Sequence, residues 1–188
     1  MRVVIAAAII AFLPTSSEAA QNVPNWVNDG TLEEIVVTLD TPMGLPELTA
    51  TSDVIVEASV LTERSFLDPD GARIWTDYRL QLTRALRVRD GRGVEATLAV
   101  RRRGGTLKVG SRSIVSTEND FLPFQLGEQY VLFLRRTSDP GVYTIVAGRH
   151  GAIPVTDGVA GGTTPLVKFR EAVMKYAQLP TPATQGAR

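Results

Sequence analysis

A chain of 188 residues, 44% of them apolar and 21% charged, is long enough to bury a core of its own and too apolar to be disordered. Its 20 Lys plus Arg balance 20 Asp plus Glu, so bulk charge points neither to nucleic acid nor to an acidic partner. Cys is absent and His occurs once, which excludes a disulfide framework, a thiolate metal site, a cysteine nucleophile and a multi-histidine metal centre.

Met1-Arg2 is followed by Val3–Leu13 without a polar residue, about half of the ~20 residues that a spanning helix needs. Ser17 and Ala19 then stand at the −3 and −1 positions of a cut after Ala19. A charged start, a short apolar run and a small-residue site predict a secretory signal peptide over 1–19. A buried N-terminal helix is the plainer alternative. The signal-peptide reading implies a secreted or periplasmic protein with no membrane span after cleavage, and packing alone must hold it together, because there is no Cys.

Residues 20–51 form a lead-in broken by Pro24, Pro42 and Pro46 and expected to pack on the main domain. Thr31-Leu32-Glu33-Glu34 resembles a helix capping box, yet the β-branched Ile35–Leu39 favours a strand, so this piece stays open. Pro46–Ala50 suits one helical turn with Pro at its permitted first position. A single domain is expected over 52–179. Asp53–Leu61 is its first strand, and Asp68-Pro69-Asp70-Gly71 is a turn in which Pro presets φ and Gly permits φ > 0. Ile74–Val88 then alternates apolar and polar residues over its whole length, with Arg84 the one charge on the apolar side. That is the pattern of a long half-buried strand.

After the turn Asp90–Gly93, the segment Val94–Arg101 alternates again, and Gly104-Gly105 breaks it. A weaker strand is expected at Ser113–Ser116. Tyr130–Leu134 is a continuous apolar run that suits a strand covered on both faces. Asp139-Pro140-Gly141 turns the chain into Val142–Ala147, and Ile153-Pro154-Val155 reads as a short last strand with Pro marking an edge. A Gly-rich connector, Asp157–Thr164, leads to a helix on which Leu166, Phe169, Val173 and Tyr176 share a face. Thr164 is placed to cap it, Pro165 to sit in its first turn, and Pro180 to end it near Leu179. The tail 180–188 has little to pack against.

The expected architecture is mainly β: a small antiparallel barrel of five to six strands with a C-terminal helix. Five stretches carry a resemblance: Ser52-Asp53-Val54-Ile55-Val56; Ile74-x-Thr76-x-Tyr78-x-Leu80; Gly104-Gly105; Gly127-Glu128-x-Tyr130-Val131-Leu132-Phe133-Leu134; and Gly148-x-x-Gly151 before Ile153-Pro154-Val155. Through them the segment 52–155 resembles the OB-like barrel domains of exported bacterial proteins, relatives of the tissue-inhibitor-of-metalloproteinase and netrin-like domains. The resemblance implies an OB-like fold. The inhibitors of that family meet the protease zinc through an N-terminal Cys; this chain has none, so their mode of inhibition is not implied.

Among reactive groups, a Ser-His-Asp set must use His150, flanked by Gly148-Arg149 and Gly151, and no Gly-x-Ser-x-Gly elbow accompanies it. A lone His in a Gly-rich turn reads as a surface residue. Asp68-x-Asp70-Gly71 opens like a calcium loop, but the position that needs a bidentate Glu is Arg79, and the turn reading is preferred. Glu118-Asn119-Asp120 reads as a solvated acidic loop. No catalytic, cofactor or metal residues are therefore assigned.

The strongest local charge is basic. Arg84, Arg87, Arg89 and Arg92 are followed by Arg101-Arg102-Arg103, Lys108 and Arg112. Of these, Arg87, Arg89, Arg101, Arg102, Arg103 and Lys108 are the candidate anion-binding patch; the plainer reading is a strand edge kept from aggregating by charge. The stretch between Tyr78 and Phe121 has no aromatic residue for base stacking, so nucleic acid is not an expected ligand. The sequence thus predicts an exported non-catalytic module that binds or scaffolds. Its partner would be a protein or a polyanionic or glycan ligand at the cell surface. An exported enzyme inhibitor or regulator is the alternative, and a hydrolase comes last.

Overall fold

A computed structural model describes residues 35–36, 43–109, 112–118 and 123–179. The predicted signal peptide, the capping-box segment and the tail 180–188 lie outside these residues. The elements in chain order are β1 (Ile35–Val36), helix α1 (Leu45–Thr51), β2 (Val54–Leu67), β3 (Ile74–Val88), β4 (Thr97–Arg103), β5 (Gly105–Val109) and β6 (Arg112–Glu118). They continue with β7 (Gln129–Arg136), β8 (Val142–Ile145), a 3₁₀ turn (Gly148–Gly151), β9 (Ala152–Thr156), β10 (Val159–Ala160), β11 (Thr164–Pro165) and helix α2 (Leu166–Ala177). By contacts the chain divides into two compact units. The described part of the larger comprises 43–63, 77–101 and 123–179; that of the smaller comprises 35–36, 64–76, 102–109 and 112–118.

In the larger unit, strands run in the order β7-β2-β3-β4-β8, and β8 pairs back onto β7, so the five close into a barrel. The sheet is mixed, which corrects the expectation of a wholly antiparallel one: β4 and β8 are parallel, Ala99 facing Val142 and Val100 facing Tyr143. The reason is arithmetic. Strand direction cannot alternate all the way round a ring with an odd number of members, so at least one neighbouring pair must run the same way.

Period-two patterning decides what fills the ring. Val54, Val56 and Val60 of β2, Tyr78 and Leu80 of β3, Leu98 and Val100 of β4, Leu132 and Leu134 of β7 and Tyr143 of β8 form one buried cluster. Phe124 joins it edge-on to Tyr78, centroids 4.9 Å apart. The alternate residues of β2 and β7, Ile55, Val131 and Phe133, pack instead with Leu48 of α1 and Leu166 and Val173 of α2. Both faces of β7 are therefore covered, as the unbroken run Tyr130–Leu134 predicts. Each such side chain contributes about 1.5–3 kcal/mol of burial. In β3 the alternation lapses at Thr83–Ala85, three consecutive exposed residues.

Several boundaries differ from the sequence reading. Strand β8 stops at Ile145 because Ala147 (φ 54°) and Gly148 (φ 52°) turn the chain. Strand β9 is neither the last strand nor an edge: it pairs with β7 on one side and β10 on the other, and the carbonyl of Pro154 accepts from Gly161 N–H at 2.9 Å. Thr164 does not cap α2; it pairs with Ala160, and Pro165 occupies the cap position with no side-chain bond. Helix α1 forms with Pro in its first turn, as expected.

In the smaller unit, the open segment Ile35–Val36 is a strand, parallel to β6 in the sheet β1-β6-β5. Ile74 and Ile114 are buried there against Leu67, Leu107 and Val109. The Asp68 carboxylate accepts from the N–H of Ala72 (2.7 Å) and of Arg73 (3.2 Å), and Gly71 takes φ 66°. Asp68 is thus engaged as a turn residue. Gly105 (φ 133°) has no space for a side chain, since a Cβ would stand 2.0 Å from Thr76 Oγ1. That hydroxyl donates to the carbonyl of Gly104 at 2.7 Å.

Candidate binding groove

Helix α1 forms one wall of a depression on the outside of the larger unit. Its C-terminal carbonyls have no intrahelical partners, and arginines of β3 and the turn after it supply them: Arg87 donates to the carbonyl of Thr49 and Arg89 to that of Ala50. Ser52 closes the end with both its N–H and its hydroxyl on the Leu48 carbonyl. Held this way, α1 places Met43, Leu45 and Leu48 along one side.

The turn after β8 builds the other side. Ala147 and Gly148 both take left-handed φ, and His150 N–H donates to the Ala147 carbonyl at 3.0 Å. Gly151 is buried so tightly that a Cβ would meet the Val146 carbonyl oxygen at 2.0 Å. Only glycine lets the chain pass there into β9, and the passage sets Arg149 and His150 at the rim and Ala152, Ile153 and Pro154 behind them. Phe169 of α2, edge-on to Phe133 with centroids 6.5 Å apart, completes the lining. The depression measures about 410 Å³, and no carboxylate lines it. His150 is half-buried there among lining residues that include no carboxylate, and Asp139 is held by Arg101.

The six residues of the predicted basic patch fall into different settings. Arg87 and Arg89 cap α1, and Arg89 also stands 3.8 Å from Asp53. Burial, and next the positive Arg89, hold the Arg87 guanidinium below its ordinary pKa, while Asp53 opposes the change. Arg101 grips both oxygens of Asp77 (2.8 and 2.9 Å) and one oxygen of Asp139 (2.9 Å). The hydrogen bonds to Asp77 are the main reason that its pKa is raised. Arg102, Arg103 and Lys108 belong to the smaller unit, the two arginines half-buried and Lys108 exposed on β5. Within the larger unit, three candidate anion binders are thus engaged as internal fasteners.

One charged pair escaped the sequence reading. Glu57 of β2 is fully buried on the face toward α2, and Arg170 of α2 donates to its two oxygens at 2.5 and 2.6 Å. The paired hydrogen bonds raise the pKa of Arg170. The available signals are Glu57 as the one charge in the apolar run Val54–Leu61, and an Arg one residue after the apolar Phe169.

Among the described residues no helix is long and apolar enough to cross a membrane, and no three metal-ligating side chains cluster. The chain matches no family model and no curated protein.

Proposed function

We propose that this protein is an exported, non-catalytic binding module built on an OB-like barrel, and that it takes its ligand on the outside, in the groove between α1 and the Arg149–Pro154 segment. The ring order β2-β3-β4-β8-β7 with its single parallel closing pair, β4 and β8, supports the OB-like assignment; the proposed kinship to tissue-inhibitor-of-metalloproteinase and netrin-like domains rests on the sequence stretches within 52–155. The observation that carries the binding reading is a contrast. The barrel interior is filled by apolar side chains, whereas an apolar depression of about 410 Å³ opens outside it. That volume falls within the roughly 300–1,000 Å³ of ordinary small-molecule sites, which are apolar and carry a few placed polar groups. The paired charged groups Glu57 with Arg170 and Asp77 with Arg101 act as struts, which favours binding over chemistry.

The neutral apolar fluorophore N-phenyl-1-naphthylamine tests the groove. It is expected to bind the folded protein saturably, and Met43→Glu, which sets a charge on the half-buried wall, is expected to weaken binding at least tenfold with unchanged circular dichroism. Absence of saturable binding, or binding indifferent to Met43→Glu, would refute the site.

A further inference from the structure

We infer that the groove recognises linear aliphatic carboxylates, with the acyl chain along Met43, Leu45, Leu48 and Ile153 and the carboxylate at Arg149 and His150; this deepens the binding reading and rests on it. The walls set the body of the ligand. They are chiefly unbranched or aliphatic side chains with one aromatic ring, Phe169, and so suit a flexible hydrocarbon better than a stacked ring or a sugar.

The rim sets the head. Of the residues lining the groove only two carry polar side chains; both are basic types, adjacent in sequence and presented by one 3₁₀ turn. Among the described residues neither lies within 4.0 Å of a carboxylate, unlike Arg101, Arg136 and Arg170, which all hold acidic partners. Arg149 therefore offers a planar fork able to take both oxygens of an incoming carboxylate. Charge complementarity thus selects one anionic head on an apolar tail. The backbone of the turn is also fixed: left-handed Ala147 and Gly148 open it, and Gly151, with no room for a Cβ, closes it, so Arg149 and His150 stay at the rim.

Displacement of bound N-phenyl-1-naphthylamine by three amphiphiles of equal chain length, each below its micellar concentration, tests the inference. Dodecanoate is expected to displace the fluorophore at a concentration at least tenfold lower than dodecanol, and dodecyltrimethylammonium to be weaker than both. Arg149→Glu, at an exposed position, is expected to abolish the preference for dodecanoate over dodecanol; His150→Gln is expected to reduce it. Equal displacement by dodecanoate and dodecanol, or a preference that survives Arg149→Glu, would overturn carboxylate recognition and leave the groove standing. A fluorophore that does not bind, or binds indifferently to Met43→Glu, would overturn the groove and this inference together.

Discussion

Arg170→Met is expected to lower the unfolding free energy by about 3–5 kcal/mol, the cost of leaving a buried carboxylate without its partner. Glu57 has no solvent to turn to: its side chain is fully buried on the β2 face beneath α2, with both oxygens held by Arg170. Removing the guanidinium strands that charge among Ile55, Val131 and Phe133. Because the penalty arises from the orphaned group and not from a lost attraction, the double variant Glu57→Leu/Arg170→Met is expected to recover most of the stability. Urea titration of the single and double variants measures both. A loss below about 1 kcal/mol in Arg170→Met, the range of exposed pairs, would mean that the pair is not buried in solution.

Gly151→Ala is expected to cost about 1–3 kcal/mol, the range of overpacked sites, and to remove binding in the groove. The added methyl would stand 2.0 Å from the Val146 carbonyl oxygen and 2.9 Å from Ile145 Cγ2. The first neighbour is backbone and cannot swing aside, so the 3₁₀ turn must move and carry Arg149 and His150 with it. Gly158→Ala is the control, since nothing lies within 4 Å of its Cβ position although its φ of 76° adds some backbone strain. Chemical denaturation and N-phenyl-1-naphthylamine titration of the two variants separate a packing defect at the groove from a general loop effect.

The residues that announced themselves in the sequence were those whose local chemistry and tertiary role agree. Strand β3 was legible from end to end because alternation over Ile74–Val88 has no other stable use. Strand β7 was legible because only a doubly covered strand needs an unbroken apolar run, and Asp68–Gly71 because Asp, Pro and Gly each serve one step of the turn. What stayed hidden depends on partners distant in the chain. The parallel β4–β8 pair joins residues with no local signature of direction. The Glu57–Arg170 clamp joins positions 113 residues apart, and nothing local in either segment names the other as its partner. The settings of the basic residues were hidden for a related reason: charge is visible in sequence, but the α1 carbonyls and the Asp77 and Asp139 carboxylates that engage Arg87, Arg89 and Arg101 become neighbours only on folding. His150, expected at the surface, is half-buried at the rim of the groove, where the buried Gly151 passes the chain into β9.

Residue-resolved amide shifts during titration with dodecanoate test most directly whether this barrel is a packed support with its binding site outside. Perturbations are expected to cluster at Met43–Leu48, Arg149–Pro154 and Phe169, and to leave the interior positions Val56, Leu80, Val100 and Leu132 unmoved. Shifts centred on those interior valines and leucines, or on Gly105–Val109 and Arg112–Thr117 of the smaller unit, would contradict it.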